Sequence, residues 1–287
     1  MILTEDKLID YVQYKNGLLI TRKTLNINNY DIKNAPNNTL VCITGYHHIL
    51  NQFFTKWIHV FTKPFILIII ETDIVNLDRS WLDHDKLKYC YTWNKPFNHS
   101  KLYCLPIGLN YKRQFSGINH WIINNRMEGI EPTKMLCVNC DPQTNSNRSV
   151  YINKAKNEWS SFCDILDCMP PLSSDIIPSH MDGQIKINVT NPACYDIWRN
   201  YKFILSPPGT GFDCHRTWEA VLIGVIPIVL ASTLNELYTE LPILVVDSYD
   251  ILTESFLDNK YNIIKKKKYN MEKITLEYWI KHIENNV

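Results

Sequence analysis

Short apolar runs alternate with polar segments along this chain, and their spacing predicts a parallel α/β protein. Each run has the length of a strand, and helical or irregular segments separate one run from the next. The predicted strands before the middle of the chain cover residues 40–44, 65–71, 88–92, 101–106 and 135–139. Because strands that alternate with helices form parallel sheets covered by helices, we expect an α/β fold.

The densest pattern lies at residues 203–230, which read as strand, loop, helix and strand without intervening residues. The loop is rich in glycine and proline, Asp213 can cap the helix, and Gly224 can end it. Such a unit places backbone N–H groups and a helix N-terminus beside the carboxyl end of a parallel sheet. Open α/β sheets bind diphosphates at that position.

Arg216 and Glu219 are three residues apart and therefore share a face of this helix. A guanidinium there can pair with phosphate oxygens, and a carboxylate one turn later can accept two ribose hydroxyls. His215 could pair with Glu219 on a metal, but no third ligand has useful spacing. A role for His215 as a donor to phosphate is therefore favoured.

The string SPPGTG resembles the start of an ATPase phosphate loop, but the match fails at three of the four motif positions. Ser206 occupies the position of the first glycine, and Phe212 and Asp213 occupy those of lysine and serine or threonine. Without the lysine, a nucleotidase of this class is the weakest of the functional hypotheses.

The residues of this block together resemble the donor-binding block of exostosin-like glycosyltransferases, family 47 with its viral and microbial relatives. They are Pro207, Pro208, Gly209, Gly211, Asp213, His215, Arg216, Trp218, Glu219, Ala220, Gly224 and 226–229. Weaker blocks at 66–73, 91–94, 99–102 and 105–109 occur in the same order as in that family. The resemblance spans roughly residues 66–230, and the chain departs from the family in being short and in lacking a membrane anchor.

The resemblance implies a GT-B-like fold, with two facing Rossmann-like domains and the site in the cleft between them. We expect an acceptor-side domain at 1–130 and a nucleotide-sugar domain at 131–287, because 111–133 shows no clean periodicity. The implied reaction moves a sugar from a nucleotide diphosphate sugar to a hydroxyl of a glycan or glycoprotein acceptor. The relatives work without a bound metal or cofactor, and those best known invert the configuration.

The residues that the resemblance and the pattern together assign to donor binding form one set. They are Arg148, Pro208, Gly209, Thr210, Gly211, Asp213, His215, Arg216 and Glu219. Arg148 stands apart, in the loop after the strand at 135–139, where the family also has an arginine. A solvated loop arginine is the alternative interpretation of Arg148.

Two residues of the N-terminal half are candidates for the base that takes the acceptor proton. Asp73 ends a long apolar strand, which would deliver its carboxylate rigidly to the edge of the sheet. His47 and its neighbour His48 follow the strand at 40–44, although an ordinary surface pair of histidines is the simpler interpretation.

The charge, the apolar runs and the cysteines of the chain indicate which partners and locations to expect. A formal charge of +1 over 287 residues shows no basic excess for nucleic acid. The N-terminus lacks the layout of a signal peptide, and the longest apolar run, 65–70, is too short to span a membrane. We therefore expect a cytoplasmic protein. The nine cysteines suggest buried free thiols, and zinc binding by Cys137, Cys140, Cys163 and Cys168 is a weaker alternative.

A second hypothesis of a different class stays open at this point. A degenerate transferase could retain recognition of a nucleotide or glycan without turnover if its N-terminal half had lost the base.

Near the C-terminus, a run of four lysines at 265–268 precedes the amphipathic segment 271–283. We expect this terminal helix to pack across the two domains.

Overall fold

The structure is a computed structural model, and it describes residues 3, 5–20, 29–73, 76–109, 131–166 and 193–285. Two parallel sheets of five strands each organise these residues. This confirms the predicted α/β class, and the arrangement is compatible with a Rossmann-like fold. The domain boundary predicted near residue 130 lies outside the described residues.

The first sheet has its strands in chain order, and all neighbouring pairs are parallel. The strands are β1 (Leu18–Ile20), β2 (Thr39–Thr44), β3 (Phe65–Ile70), β4 (Leu87–Thr92) and β5 (Leu102–Cys104). All six residues of β2 and of β3 are buried. The apolar run of β3 is continuous because both faces of a covered parallel sheet are buried.

The second sheet has a topological switch point. Its strands are β6 (Lys134–Val138), β7 (Cys163–Ile165), β8 (Tyr201–Leu205), β9 (Ile226–Leu230) and β10 (Leu244–Val246). Their order across the sheet is β7, β6, β8, β9, β10, with all pairs parallel. The chain thus leaves β6 in one direction and returns to pair β8 with its other edge. A crevice opens at the carboxyl ends of the strands at such a point.

Helices connect and cover the strands. The α-helices are α1 (Glu5–Tyr14), α2 (Asn29–Asn34), α3 (His47–Gln52), α4 (Asn147–Asn157), α5 (Ala193–Trp198), α6 (His215–Leu222), α7 (Asn235–Tyr238), α8 (Glu254–Lys265) and α9 (Leu276–Asn285). A π-helical turn at Phe53–Trp57 continues α3, and 3₁₀ turns lie at Ile58–Val60, Arg79–Asp83, Tyr249–Ile251 and Met271–Ile274.

Helix α6 ends as the sequence predicts and begins differently. Gly224 has a φ of 82°, and the amides of Gly224 and Val225 donate to the carbonyls of Val221 and Ala220. This is a Schellman motif, which requires a residue in the left-handed region. The predicted N-cap at Asp213 is wrong, because Cys214 holds that position without a side-chain cap. The Asp213 carboxylate accepts hydrogen bonds from elsewhere in the fold.

The predicted C-terminal segment 271–283 contacts both halves, the first through helix α9 and the second through the 3₁₀ turn before it. The Tyr11 hydroxyl donates to Glu284 over 2.9 Å, and the Tyr91 hydroxyl lies 3.3 Å from Nδ1 of His282. Just before α9, Nζ of Lys273 donates to the carbonyls of Glu236 and Thr239 in the second half. The end of the chain therefore joins the two halves.

Other expectations concern cysteines and membranes. Eight cysteines fall within the described residues; all eight are thiols outside any disulfide, and six of them are buried. Cys168, the fourth residue of the alternative zinc set, lies outside the described residues. No helix in the described part of the chain is long and apolar enough to cross a membrane.

Candidate functional site

A cavity of about 270 Å³ lies at the switch point between β6 and β8. The second half supplies most of its wall through the segments that follow these two strands and through the start of α6. The first half contributes Asp73 and Ile107. Ligands of open α/β folds bind in this position, and the fold here places two loops and one helix start around one cavity.

Most of the predicted donor-binding residues line this cavity. The wall includes Arg148, Gly209, Thr210, Gly211, Asp213, His215, Arg216 and Glu219. Pro208 does not line it, and its carbonyl accepts a hydrogen bond from Arg148. The structure thus brings together residues that are up to 71 positions apart, from Arg148 to Glu219.

Arg148 holds the glycine-rich loop. It lies in the first turn of α4 and is only 5% exposed. Its Nε and Nη2 donate to the carbonyls of Pro208 and Pro207, and its Nη1 donates to the carbonyl of Asp141. Asn145 adds a hydrogen bond of 2.7 Å to the carbonyl of Gly209. Three backbone carbonyls therefore occupy much of the Arg148 fork, and its predicted contact with phosphate stays a prediction.

Arg216 differs from Arg148 because two of its donor atoms are unused, although the nearby Glu219 carboxylate favours its charge. Its Nε and Nη1 atoms are buried, and neither has a hydrogen-bond acceptor among the described residues. Burial lowers the pKa of the Arg216 guanidinium, and the nearby charge of Arg148 lowers it further. A guanidinium nevertheless stays charged in proteins. A buried cation with unused donors on the wall of a cavity favours an anionic ligand.

Asp213 lines the cavity, and its carboxylate also joins the two halves of the protein by a hydrogen bond. Its carboxylate accepts hydrogen bonds from the amide of Ile107 at 2.8 Å, the amide of Cys214 at 2.9 Å and Nε1 of Trp218 at 2.9 Å. Burial raises the pKa of Asp213 to about 7, and these donors oppose the rise because they favour the carboxylate. Its hydrogen bonds explain why Asp213 is unavailable as a helix cap.

Two further contacts fix the loop to the first half. The amide of Asp213 donates to Oδ1 of Asn94 at 2.7 Å, and Gly211 packs directly against the Asn94 side chain. Nδ1 of His215 lies 2.8 Å from the carbonyl of Gly108 and must donate, since a carbonyl only accepts. In the neutral ring Nε2 is then an acceptor. His215 can therefore donate to a phosphate only when it is protonated.

The two candidates for the base lie in different places. Asp73 follows β3, is exposed and faces the cavity from the first half. His47 begins helix α3 and is exposed, but it does not line the cavity. Of the two, only Asp73 is placed beside the residues predicted to bind the donor.

Six residues on the wall were not predicted as site residues from the sequence. They are Ile107, Asn139, Asp141, Thr144, Trp198 and Cys214. Asn139 and Asp141 directly follow β6, so a prediction of the switch point would have identified them. Trp198 also lines the cavity although its side chain is fully buried.

The wall offers no obvious metal centre. Across the described ranges, no group of three His, Cys, Asp or Glu side chains is placed to hold a metal ion.

In comparisons with known proteins, no family model matches the chain and no curated protein matches its sequence.

Proposed function

We propose that this protein binds a nucleotide diphosphate sugar in the cavity and transfers the sugar to a hydroxyl acceptor. The observation that carries the proposal is Arg216, a buried guanidinium on the wall whose Nε and Nη1 have no acceptor in the part of the chain that the structure describes. A diphosphate supplies both negative charge and several acceptor oxygens, which Arg216 can bind in a bidentate manner. The position at a topological switch point supports the same ligand class.

The chemistry of the remaining wall supports a ligand that is not only an anion. Glu219 is buried and lies one turn after Arg216 on the same wall, so its carboxylate suits the vicinal hydroxyls of a ribose. Asp141 and Asp73 add further acceptors. The Arg216 guanidinium can bind phosphates and the carboxylates on the same wall can bind hydroxyls, so the cavity fits a ligand that carries both kinds of group. A nucleotide sugar has both kinds of group, whereas inorganic phosphate has only one.

In the proposed reaction the acceptor oxygen attacks the anomeric carbon of the donor sugar. The bond from that carbon to the diphosphate breaks, and its electron pair leaves with the diphosphate. Arg216 counters the charge that develops there, and this electrostatic demand dominates such transfers. Asp73 takes the acceptor proton from the first half. The two parallel sheets with the cavity between them support a GT-B-like arrangement, and we propose that the transfer needs no bound metal.

One observation favours the alternative of a binding module without turnover. Asp73 is exposed, and none of the described residues holds its carboxylate by a hydrogen bond. A carboxylate that no hydrogen bond orients is a poor general base, because general acid–base catalysis requires a positioned side chain. A protein with this cavity and an ineffective Asp73 would bind the nucleotide sugar and keep it intact.

One experiment separates the hypotheses. The protein is incubated with a panel of nucleotide sugars and candidate acceptors, and the release of free nucleoside diphosphate is measured. Release supports the transferase, and Asp73→Asn should then reduce the rate at least tenfold while donor affinity stays unchanged. Saturable binding without release would support the binding module. Release of inorganic phosphate from ATP would support a nucleotidase instead.

A further inference from the structure

Trp198 is the last residue of α5, and it lies on the wall of the cavity with Arg216. The side chain is fully buried and packs edge-on against Tyr195, with the ring centroids 5.2 Å apart. Its only polar atom, Nε1, has no acceptor among the described residues. An indole has one donor and no acceptor, so no alternative arrangement of the side chain's hydrogens satisfies it.

Two other buried tryptophans show how this fold satisfies an indole when the role is structural. Nε1 of Trp218 donates to the carboxylate of Asp213, and Nε1 of Trp279 donates to the carbonyl of Lys273 at 2.8 Å. Buried polar groups are nearly always paired in this way. Trp198 departs from that rule at the cavity, where a bound molecule can supply the acceptor.

The same wall carries the unused donors of Arg216, so it presents donors from two elements, α5 and α6. We propose that Trp198 is a binding residue whose indole N–H donates to an oxyanion oxygen of the ligand that Arg216 binds. The inference rests on the proposed function and adds to it a recognition residue from a second helix. The ligand chemistry is a diphosphate, whose several oxygens can accept from Trp198 and Arg216 at once.

The most direct test observes the indole proton itself. Inorganic pyrophosphate is titrated into the ¹⁵N-labelled protein, and the indole signals are followed, with Trp198→Phe and Trp279→Phe identifying two of them. We expect the Trp198 indole proton to move downfield on binding and the Trp279 proton to stay in place. An unchanged Trp198 signal in a protein that binds pyrophosphate would overturn the inference.

Affinity gives a second, independent measurement. Trp198→Phe keeps an aromatic ring but removes the donor together with part of the indole's volume, and we expect it to weaken pyrophosphate binding about tenfold or more. Trp279→Phe is the matched control and should bind as the wild type does, because Trp279 lies away from the cavity wall. Equal affinities of the wild type and Trp198→Phe would contradict the inference while leaving the proposed function intact. A wild-type protein that binds neither pyrophosphate nor any nucleoside diphosphate would overturn both. If Trp198→Phe fails to fold, nuclear Overhauser contacts with the adjacent Tyr195 ring assign the Trp198 signal in the wild type, and its shift during the titration decides the matter.

Discussion

Replacing Gly211 by alanine tests whether the first half of the protein positions the glycine-rich loop. A Cβ at Gly211 would lie 2.4 Å from Nδ2 and 2.7 Å from Cγ of Asn94. Asn94 is only 5% exposed, and its Oδ1 accepts the amide of Asp213. The short amide side chain cannot make room without breaking that hydrogen bond. Gly211→Ala therefore has to displace either Asn94 or the loop.

The expected cost follows from what is lost. A buried amide left without its acceptor costs about 1–3 kcal/mol, and overpacking of a tight contact costs a similar amount. Because the two descriptions concern one displacement, we expect a loss of about 1–3 kcal/mol in the free energy of unfolding. Gly211 and Asp213 also line the cavity. The affinity for a nucleoside diphosphate should therefore fall together with stability.

Urea denaturation and calorimetric titration measure the two effects, and the chain offers a matched control. Gly224 has a positive φ of 82°, but a Cβ there would contact nothing within 4 Å. Gly224→Ala should cost about 1–2 kcal/mol through backbone strain and leave nucleotide affinity unchanged. Asn94→Ala should relieve the clash in the Gly211→Ala background. Wild-type stability and affinity in Gly211→Ala would refute the argument that Asn94 positions the loop.

Three further predictions concern a ribose contact, a carboxyl pair and metal removal. Glu219→Ala should weaken nucleoside diphosphate binding about 10- to 100-fold but spare pyrophosphate, which has no ribose; equal losses for both ligands would argue against a ribose contact. Glu5 bonds to Glu71, and burial first and then this neighbour raise the pKa of Glu5 to about 7. The folded state thus holds an extra proton between pH 4.5 and 7, so stability should fall as the pH rises through this range. The Glu5→Gln variant should lack about 2 kcal/mol of that fall, after allowance for solvent screening, and identical pH profiles in urea denaturation would count against the pair. Turnover should persist in EDTA, and loss on chelation with recovery in Mg²⁺ or Mn²⁺ would contradict the metal-independent mechanism.

Local patterns predicted the parts of the fold that depend on local chemistry. The buried run of β3 and the left-handed Gly224 both follow from the preferences of a few adjacent residues. Arg216 and Glu219 share the cavity wall because a helix places residues three apart on one face. These inferences needed no knowledge of what lies across the cleft.

The partners of the loop residues could not be predicted in the same way. Asp213 fits an N-cap by position, but its carboxylate accepts the amide of Ile107, which is 106 residues away in the sequence. His215 likewise bonds to Gly108, and Arg148 bonds to carbonyls about 60 residues further along the chain. The contacts of Asp213 and His215 depend on how the two sheets meet, and those of Arg148 depend on the pairing of β6 with β8. The sequence pattern of one segment does not contain that information.

The central claim is that Arg216 stabilises the diphosphate leaving group. Steady-state kinetics of Arg216→Lys, with the nucleotide sugar that the wild type consumes, tests it most directly. Lysine keeps the charge but loses the bidentate geometry, so we expect turnover to fall about 10- to 100-fold with a smaller change in donor affinity. Wild-type turnover in Arg216→Lys would contradict the account and leave Arg216 a structural residue of α6.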